Sequence, residues 1–291
     1  MKVNARKLVA AMIVAAGVSL LLYPWISNWL YSRGVDSSVE VYEKELSETD
    51  TARQKEILET ARKYNIRLAR SSVALTDPFV VTEDPGMDAE YESILSLDKS
   101  GLMCFVEIPK IKVRLPVYHG TSEEVLEKGA GHLKGSSVPA GGESTHAVLS
   151  AHTGINASKM FSDLTEMETG DLFFIRILDK TLAYRVCDIE VILPEDTGGL
   201  VIEEGKDLVS LITCTPYGVN THRLVVTGER TEYTEEVEKE AQSEEPVKTS
   251  QWMKAYRKAL LLGLTVVAVA AFLIALARKR HVYPAAGRRN G

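Results

Sequence analysis

The sequence predicts a mainly β protein: a barrel or sandwich of about eight strands, preceded by helices and bracketed by two apolar segments of membrane length. Three observations predict it. From about Cys104 to Arg230, short runs rich in β-branched and aromatic residues alternate with turn residues. From residue 36 to 70, mixed charges surround apolar residues at helical spacing. Leu8 to Ser32 and Ala259 to Ala277 contain no charged residue at all.

Residues 1-7 carry Lys2, Arg6 and Lys7 and read as a cytoplasmic N-terminus. Segment 8-32 would rise about 37 Å as helix, enough to cross a hydrocarbon layer of about 30 Å. A basic start before an apolar run also opens a cleaved signal peptide. This run is longer than a signal core, however, and its far end, Tyr23-Pro-Trp25 with Trp29 and Tyr31, reads as an aromatic interface belt, so an uncleaved transmembrane helix is the preferred reading. Residues 33-70, with Ile57, Ala61, Tyr64 and Leu68 at helical intervals, are expected to form a helical stalk leading away from the membrane. Residues 71-90 include Asp77-Pro78 and Asp84-Pro85-Gly86, have no sustained period and read as a loop.

The β-rich body is assigned to 91-230. Its clearest strands are Phe105 to Ile108, Ile111 to Val117, Ala147 to Ala151, Leu172 to Ile177, Thr181 to Ile192, Leu208 to Cys214 and Arg223 to Arg230, with Asp179-Lys180 as a hairpin turn. Glu-rich residues 231-258 are expected to be a flexible acidic linker. They lead to a second span, 259-277, which as helix covers about 28 Å. Residues 278-291, with Arg278, Lys279, Arg280, Arg288 and Arg289, read as a basic cytoplasmic tail.

The basic flanks place both termini in the cytoplasm and the β body outside, in the cell membrane. The flanks hold 8 of the 34 Lys+Arg and none of the 40 Asp+Glu, which leaves 26 basic against 40 acidic side chains for the rest. So acidic an outer body argues against nucleic acid as a partner. Its three cysteines cannot all pair within one chain. Cys104 and Cys187 read as core residues or as a mutual disulfide. The cysteines and histidines lack zinc-binding spacing, and the acidic group Glu195, Asp196, Glu203, Glu204 and Asp207 reads as solvated surface, so no metal or other cofactor is expected.

Cys214 ends an apolar strand, and after Thr215-Pro216-Tyr217-Gly218 the next strand begins at Arg223. The hairpin brings guanidinium and thiol close together. His152 ends another apolar strand, where a structural imidazole is the commoner reading, and His119, His132, His146 and His222 are rivals that the residues alone leave open. An ordinary thiol is only a few per cent thiolate at neutral pH, so a nucleophilic cysteine needs a basic partner or a positive neighbour. His152 and Arg223 can supply both, the arginine as a fixed cation for an oxyanion.

The strings Leu149-Ser-Ala-His-Thr-Gly154 and Ile212-Thr-Cys-Thr-Pro-Tyr-Gly-Val-Asn-Thr-His-Arg223 resemble the His and Cys/Arg motifs of sortases, specifically class C, the pilin polymerases. Gly131-His-Leu-Lys-Gly-Ser-Ser137, Lys159-Met-Phe-Ser-Asp-Leu164 and Leu193-Pro-Glu-Asp-Thr197 resemble the same class. One departure is Ala151-His152-Thr153, where many members have Gly-His-Arg. The resemblance implies a closed eight-stranded sortase-type β-barrel, with Cys214, His152 and Arg223 catalytic. It further implies cleavage of an LPxTG-like sorting signal between Thr and Gly, a thioester on Cys214, and transfer to a lysine amine of another pilin subunit. Asp77-Pro78-Phe79 resembles the class C lid, with Asp77 meeting Arg223 and Phe79 over Cys214. Alternatives are a housekeeping-type sortase that anchors surface proteins to peptidoglycan precursor, a thiol hydrolase, and a non-catalytic membrane scaffold.

Overall fold

The computed structural model describes residues 5–71, 75–80, 88–98, 100–153, 159–243, 253–254, 256–265 and 269, with backbone alone at 5–14, 16, 20, 21 and 24. Eight strands close a barrel: β1 (Leu102–Ile108), β2 (Val113–His119), β3 (Ala130–His132), β4 (Thr145–Ser150), β5 (Leu172–Ile177), β6 (Lys180–Ile192), β7 (Asp207–Thr215) and β8 (His222–Thr231). They run around it in the order β1-β2-β3-β4-β7-β8-β6-β5. β2 with β3 and β4 with β7 are parallel; the other neighbours are antiparallel. Parallel neighbours need a crossover. The β2–β3 crossover is helix α4, Glu123–Lys128, with Ser122 as its N-cap.

Alternate residues point inward. Val106, Ile108, Leu115, Val117, Leu149, Phe173, Ile175, Tyr184, Leu211 and Val226 make one continuous core. Phe173 and Tyr184 stack there at 5.5 Å, and β8 passes so close that a Cβ on Gly228 would lie 2.4 Å from the Phe173 ring. That is why this strand position has no side chain. Several strands nonetheless read as unbroken apolar runs, because the outer wall is also covered in three places. Helix α1 (Ala5–Glu48) lays Val35, Val39 and Tyr42 on Leu102 and Phe105. Helix α5 (Glu235–Ser243) lays Ala241 on Leu172, Phe174 and Ala183. The 75–80 segment lays Leu75 and Phe79 on Leu133, Val148, Leu200, Ile212 and Val225.

Several expectations are corrected. Residues 33-70 are not a free stalk. α1 continues unbroken through position 33, and α2 (Thr51–Ala69), capped by Asp50, adds Ile57, Leu58 and Ala61 to the barrel core. Buried Asn65 donates to Val138 O at 2.9 Å and accepts from Val138 N at 2.8 Å. The periodic apolar stripe is a docking face, which in sequence looks the same as a stalk's own helix pairing. The acidic linker begins as structure: Tyr233 and Val237 pack with Ala241, and Arg176 reaches Glu238 at 2.7 Å. Its residues 244–250 lie outside the described ones. The hairpin turns at Leu178-Asp179, since Ile177 pairs with Lys180 and Leu178 takes φ 49°. Ile111 closes a 3-10 turn rather than starting a strand. Cys104 is buried in the core and Cys187 exposed beside the β6 bulge between Val186 and Asp188, both as free thiols. Cys187 is therefore neither a core residue nor half of a disulfide.

Short α3 (Ala89–Ser93) overlaps the end of the 71-90 loop and buries Tyr91. The 8-32 segment lies within the helical backbone of α1, while most of 259-277 lies outside the described residues. Among the described residues no helix is long and apolar enough to cross a membrane. Tyr23, Trp25 and Trp29 are exposed. Tyr31, by contrast, donates its hydroxyl to Lys128 O at 3.1 Å, so it docks on the barrel instead of completing an aromatic belt. Residues 249–291 form a separate unit, helical at its described positions.

Candidate active site

Cys214 on β7 and Arg223 on β8 are direct cross-strand partners. On the other side of β7, β4 runs parallel with Ser150 opposite Ile212. Continuing that register by two residues sets His152 level with Cys214, and Ala151 N donates to Ile212 O while Thr213 Oγ1 donates to Ala151 O, which holds the strand extension in place. Side chains two apart share a face. His152 therefore shares the face of Val148, Cys214 that of Ile212, and Arg223 that of Val225, all three apolar residues being members of the outer-wall cluster. The three chemistry-bearing side chains stand together on the outer wall at the ends of their strands. The sequence left open which rim His152 occupies; the β4–β7 register decides it.

The 75–80 segment seals this face. Asp77 accepts from Arg223 Nε at 2.9 Å and from Nη2 at 2.6 Å, a bidentate pair with both side chains nearly buried. Arg223 Nη1 donates to Asn220 O and His222 O, both at 3.1 Å, so the guanidinium plane is fixed from two sides. Pro78 is buried, and the turn is closed by Val80 N donating to Asp77 O. Phe79 lies with its ring 5.9 Å from that of His152 and 5.1 Å from the Arg223 guanidinium. The ring thus meets side chains from both sides of β7. Thr197 Oγ1 donates to Leu75 O at 3.0 Å and so ties the segment to the β6–β7 connection.

Electrostatics in this closed arrangement favour neutral reactants. Burial pushes the Cys214 thiol up, Arg223 pulls it down, and Asp77 pushes it up again. Burial pushes His152 below its ordinary value, against the upward pull of Glu123 and Glu127 on α4. Arg223 is raised, first by its hydrogen bond to Asp77. The rival histidines have structural partners: His132 bonds Tyr91 and Ser137 O, His146 bonds Val201 O and Ser210, and His119 bonds Gly101 O and Ile94 O. His222 bonds its neighbour Thr221. Of the acidic group, Asp207 serves Gly142 N, Thr145 and Tyr184, and Glu203 pairs with Lys206. Among the described residues no three His, Cys, Asp or Glu are grouped to hold a metal ion.

Comparison with known proteins fits this geometry. A family model for the sortase domain matches residues 106–231. Sortase C-1 from Actinomyces oris is 44% identical, with TM-score 0.58, over 62% of this chain and 99% of that one. The chain belongs to the sortase family. Within it the likeness is to class C: sortase C from Streptococcus pneumoniae, described for its catalysis and pilin substrate specificity, is 38% identical with TM-score 0.61 over 68% of this chain and 98% of that one. Among curated sortases, sortase A of Bacillus anthracis is 31% identical over 134 residues, 46% of this chain and 62% of that protein, so the match spans less than two thirds of that relative. Sequence reasoning missed three parts of this site: Thr197, which lies in the Leu193–Thr197 string but has no spacing signal tying it to the 75–80 segment; the Asn220 and His222 carbonyls; and the outer-wall floor, whose residues look like ordinary core in a run buried on both faces.

Proposed function

We propose that this sortase is a membrane-tethered cysteine transpeptidase that joins pilin subunits, with Cys214 as nucleophile and Asp77-Pro78-Phe79 as a lid over the resting site. The observation that carries the reading is the alignment of His152, Cys214 and Arg223 on adjacent strands, with the guanidinium already engaged by an internal carboxylate.

When the lid leaves, Arg223 loses Asp77 and regains donors for a substrate oxygen. The Cys214 thiolate attacks the carbonyl carbon of the sorting-signal Thr, and Arg223 stabilises the tetrahedral oxyanion. The His152 imidazolium gives its proton to the departing Gly amine, leaving a thioester and a neutral imidazole. An acceptor lysine amine then attacks the thioester carbonyl and His152 takes its proton. The amide forms, the carbon–sulfur bond breaks, and Cys214 returns as thiolate. The neighbouring solved sortases C and the lid-like segment support pilins as substrates. The uncharged run 8-32, ending in exposed Tyr23, Trp25 and Trp29, supports a membrane tether with the barrel outside.

The relationship to sortase A supports a second reading, anchoring to a peptidoglycan precursor. One experiment separates the two. Full-length protein incubated with purified pilins carrying LPxTG-like signals should build covalent ladders that Cys214→Ala abolishes, with the thioester trapped and located by mass spectrometry. Transfer only to a peptidoglycan-type amine, with no ladder even when Phe79 is replaced by Ala, would favour anchoring. Release of acid with no amine preference would leave a hydrolase.

A further inference from the structure

Ser150 has a buried hydroxyl that nothing in the fold uses. It is 0% exposed and its Oγ has no hydrogen-bond partner. Buried hydroxyls are bonded in the great majority of cases, so an orphan calls for a reason. Its position supplies one. On β4, Ser150 shares a face with Val148 before it and His152 after it. Phe79 packs against the cluster containing Val148 and against the His152 ring itself, so Ser150 lies between two residues that the lid covers. Across β7 its register partner is Ile212, two residues before Cys214, and across β3 it is Gly131, which presents no side chain to bond. The hydroxyl is thus one pair of residues away from the reacting sulfur, on the wall against which Leu75 and Phe79 pack, and it finds no hydrogen-bond partner there.

We infer that Ser150 is a substrate-binding residue, whose hydroxyl makes a hydrogen bond to the backbone of the sorting peptide when that peptide replaces the lid on the outer wall. The inference rests on the transpeptidase reading and deepens it. The 75–80 segment and a peptide compete for one floor; the segment commits its polar groups to Arg223, Thr197 and its own turn, whereas an extended peptide brings N–H and C=O groups that the hydroxyl can meet. The unpaired Oγ is a cost borne by the closed state alone, so Ser150 both recognises a backbone and tilts the competition toward substrate.

The test uses the full-length chain with Phe79→Ala, alone and with Ser150→Ala or Ser150→Thr. It measures cleavage of a fluorescent LPxTG-like peptide, the rate at which iodoacetamide labels Cys214, and the melting temperature. Ser150→Ala should lower kcat/KM about tenfold, chiefly through KM, while Ser150→Thr retains most of it. Labelling should be unchanged or slower and the melting temperature equal or higher, because removing the orphan relieves a cost that only the closed fold bears. A kcat/KM within twofold of the parent overturns the inference, as does a loss that comes with a clear fall in melting temperature, the mark of a structural serine. If Cys214 is labelled normally and no variant cleaves the peptide, the transpeptidase reading itself fails and takes this role of Ser150 with it.

Discussion

Arg223 donates to one carboxylate and two backbone carbonyls at once, and its charge pulls the Cys214 thiol down against the larger upward push of burial. Asp77 neutralises its charge toward Cys214 and also raises the thiol directly. Removing Asp77 takes away one upward influence and frees the guanidinium to exert its downward one. Asp77→Ala should therefore move the midpoint of iodoacetamide labelling of Cys214 to lower pH and speed labelling at neutral pH; an unmoved midpoint would remove the lid carboxylate from the account. A second residue-scale prediction concerns acid. Burial drives His132 down to about 4, and His119 and His146 are lowered for the same reason. Each folded-state value lies below the unfolded one, so the unfolded chain binds more protons as pH falls. Stability is then fully present above about pH 6.5 and, for His132, is lost between about 6.5 and 4 at up to about 1.4 kcal/mol per pH unit. Urea denaturation across that range should show the slope, and a flat profile would deny it.

At the scale of elements, the helices that flank the barrel are parts of its wall. Asn65 pins α2 to Val138 through a reciprocal pair of bonds with no water access. Asn65→Ala should leave the buried Val138 N–H unmet, while Val138 O keeps its bond from Ala140 N, and cost about 1–3 kcal/mol by equilibrium denaturation. Helix α5 covers Leu172, Phe174 and Ala183 and brings Glu238 to Arg176. Ending the chain at 232 should lower the melting temperature and raise binding of a hydrophobic dye, through the uncovered outer wall. On β8, Gly228→Ala would drive a methyl into the Phe173–Tyr184 stack, and overpacking of this kind typically costs about 1–3 kcal/mol. Both changes lie away from Cys214, so activity per folded molecule should survive them.

For the whole molecule, the unit that folds is larger than the 91-230 body which texture alone marks out. Val35, Val39, Tyr42, Ile57, Leu58 and Ala61 are buried against strands or in the barrel core, each large apolar side chain contributing about 1.5–3 kcal/mol. A chain spanning 27–243 should melt cooperatively and label at Cys214 as the full chain does. A chain spanning 91–231 should be unfolded or molten, and cooperative melting of that shorter piece would refute the wall role of α1 and α2. The long α1 is also tied to the end of α4 and to the segment after His152, since Tyr31 bonds Lys128 O and Asn28 accepts from Lys159 N.

The sequence by itself determined the β texture, most strand positions and the pairing of Cys214 with Arg223. Those features are written in local period, turn residues and a single hairpin, all of which act between neighbours in the chain. Tertiary structure decided that His152 and Cys214 share one face of β4 and β7, because a parallel register between strands about sixty residues apart leaves no local trace. It also decided that the apolar stripe of α2 and the acidic stretch after Thr231 are packed, since a stripe declares that it must be buried without declaring against what. Ser150 belongs to the same group: only the assembled wall shows that its hydroxyl has been left with nothing to bond.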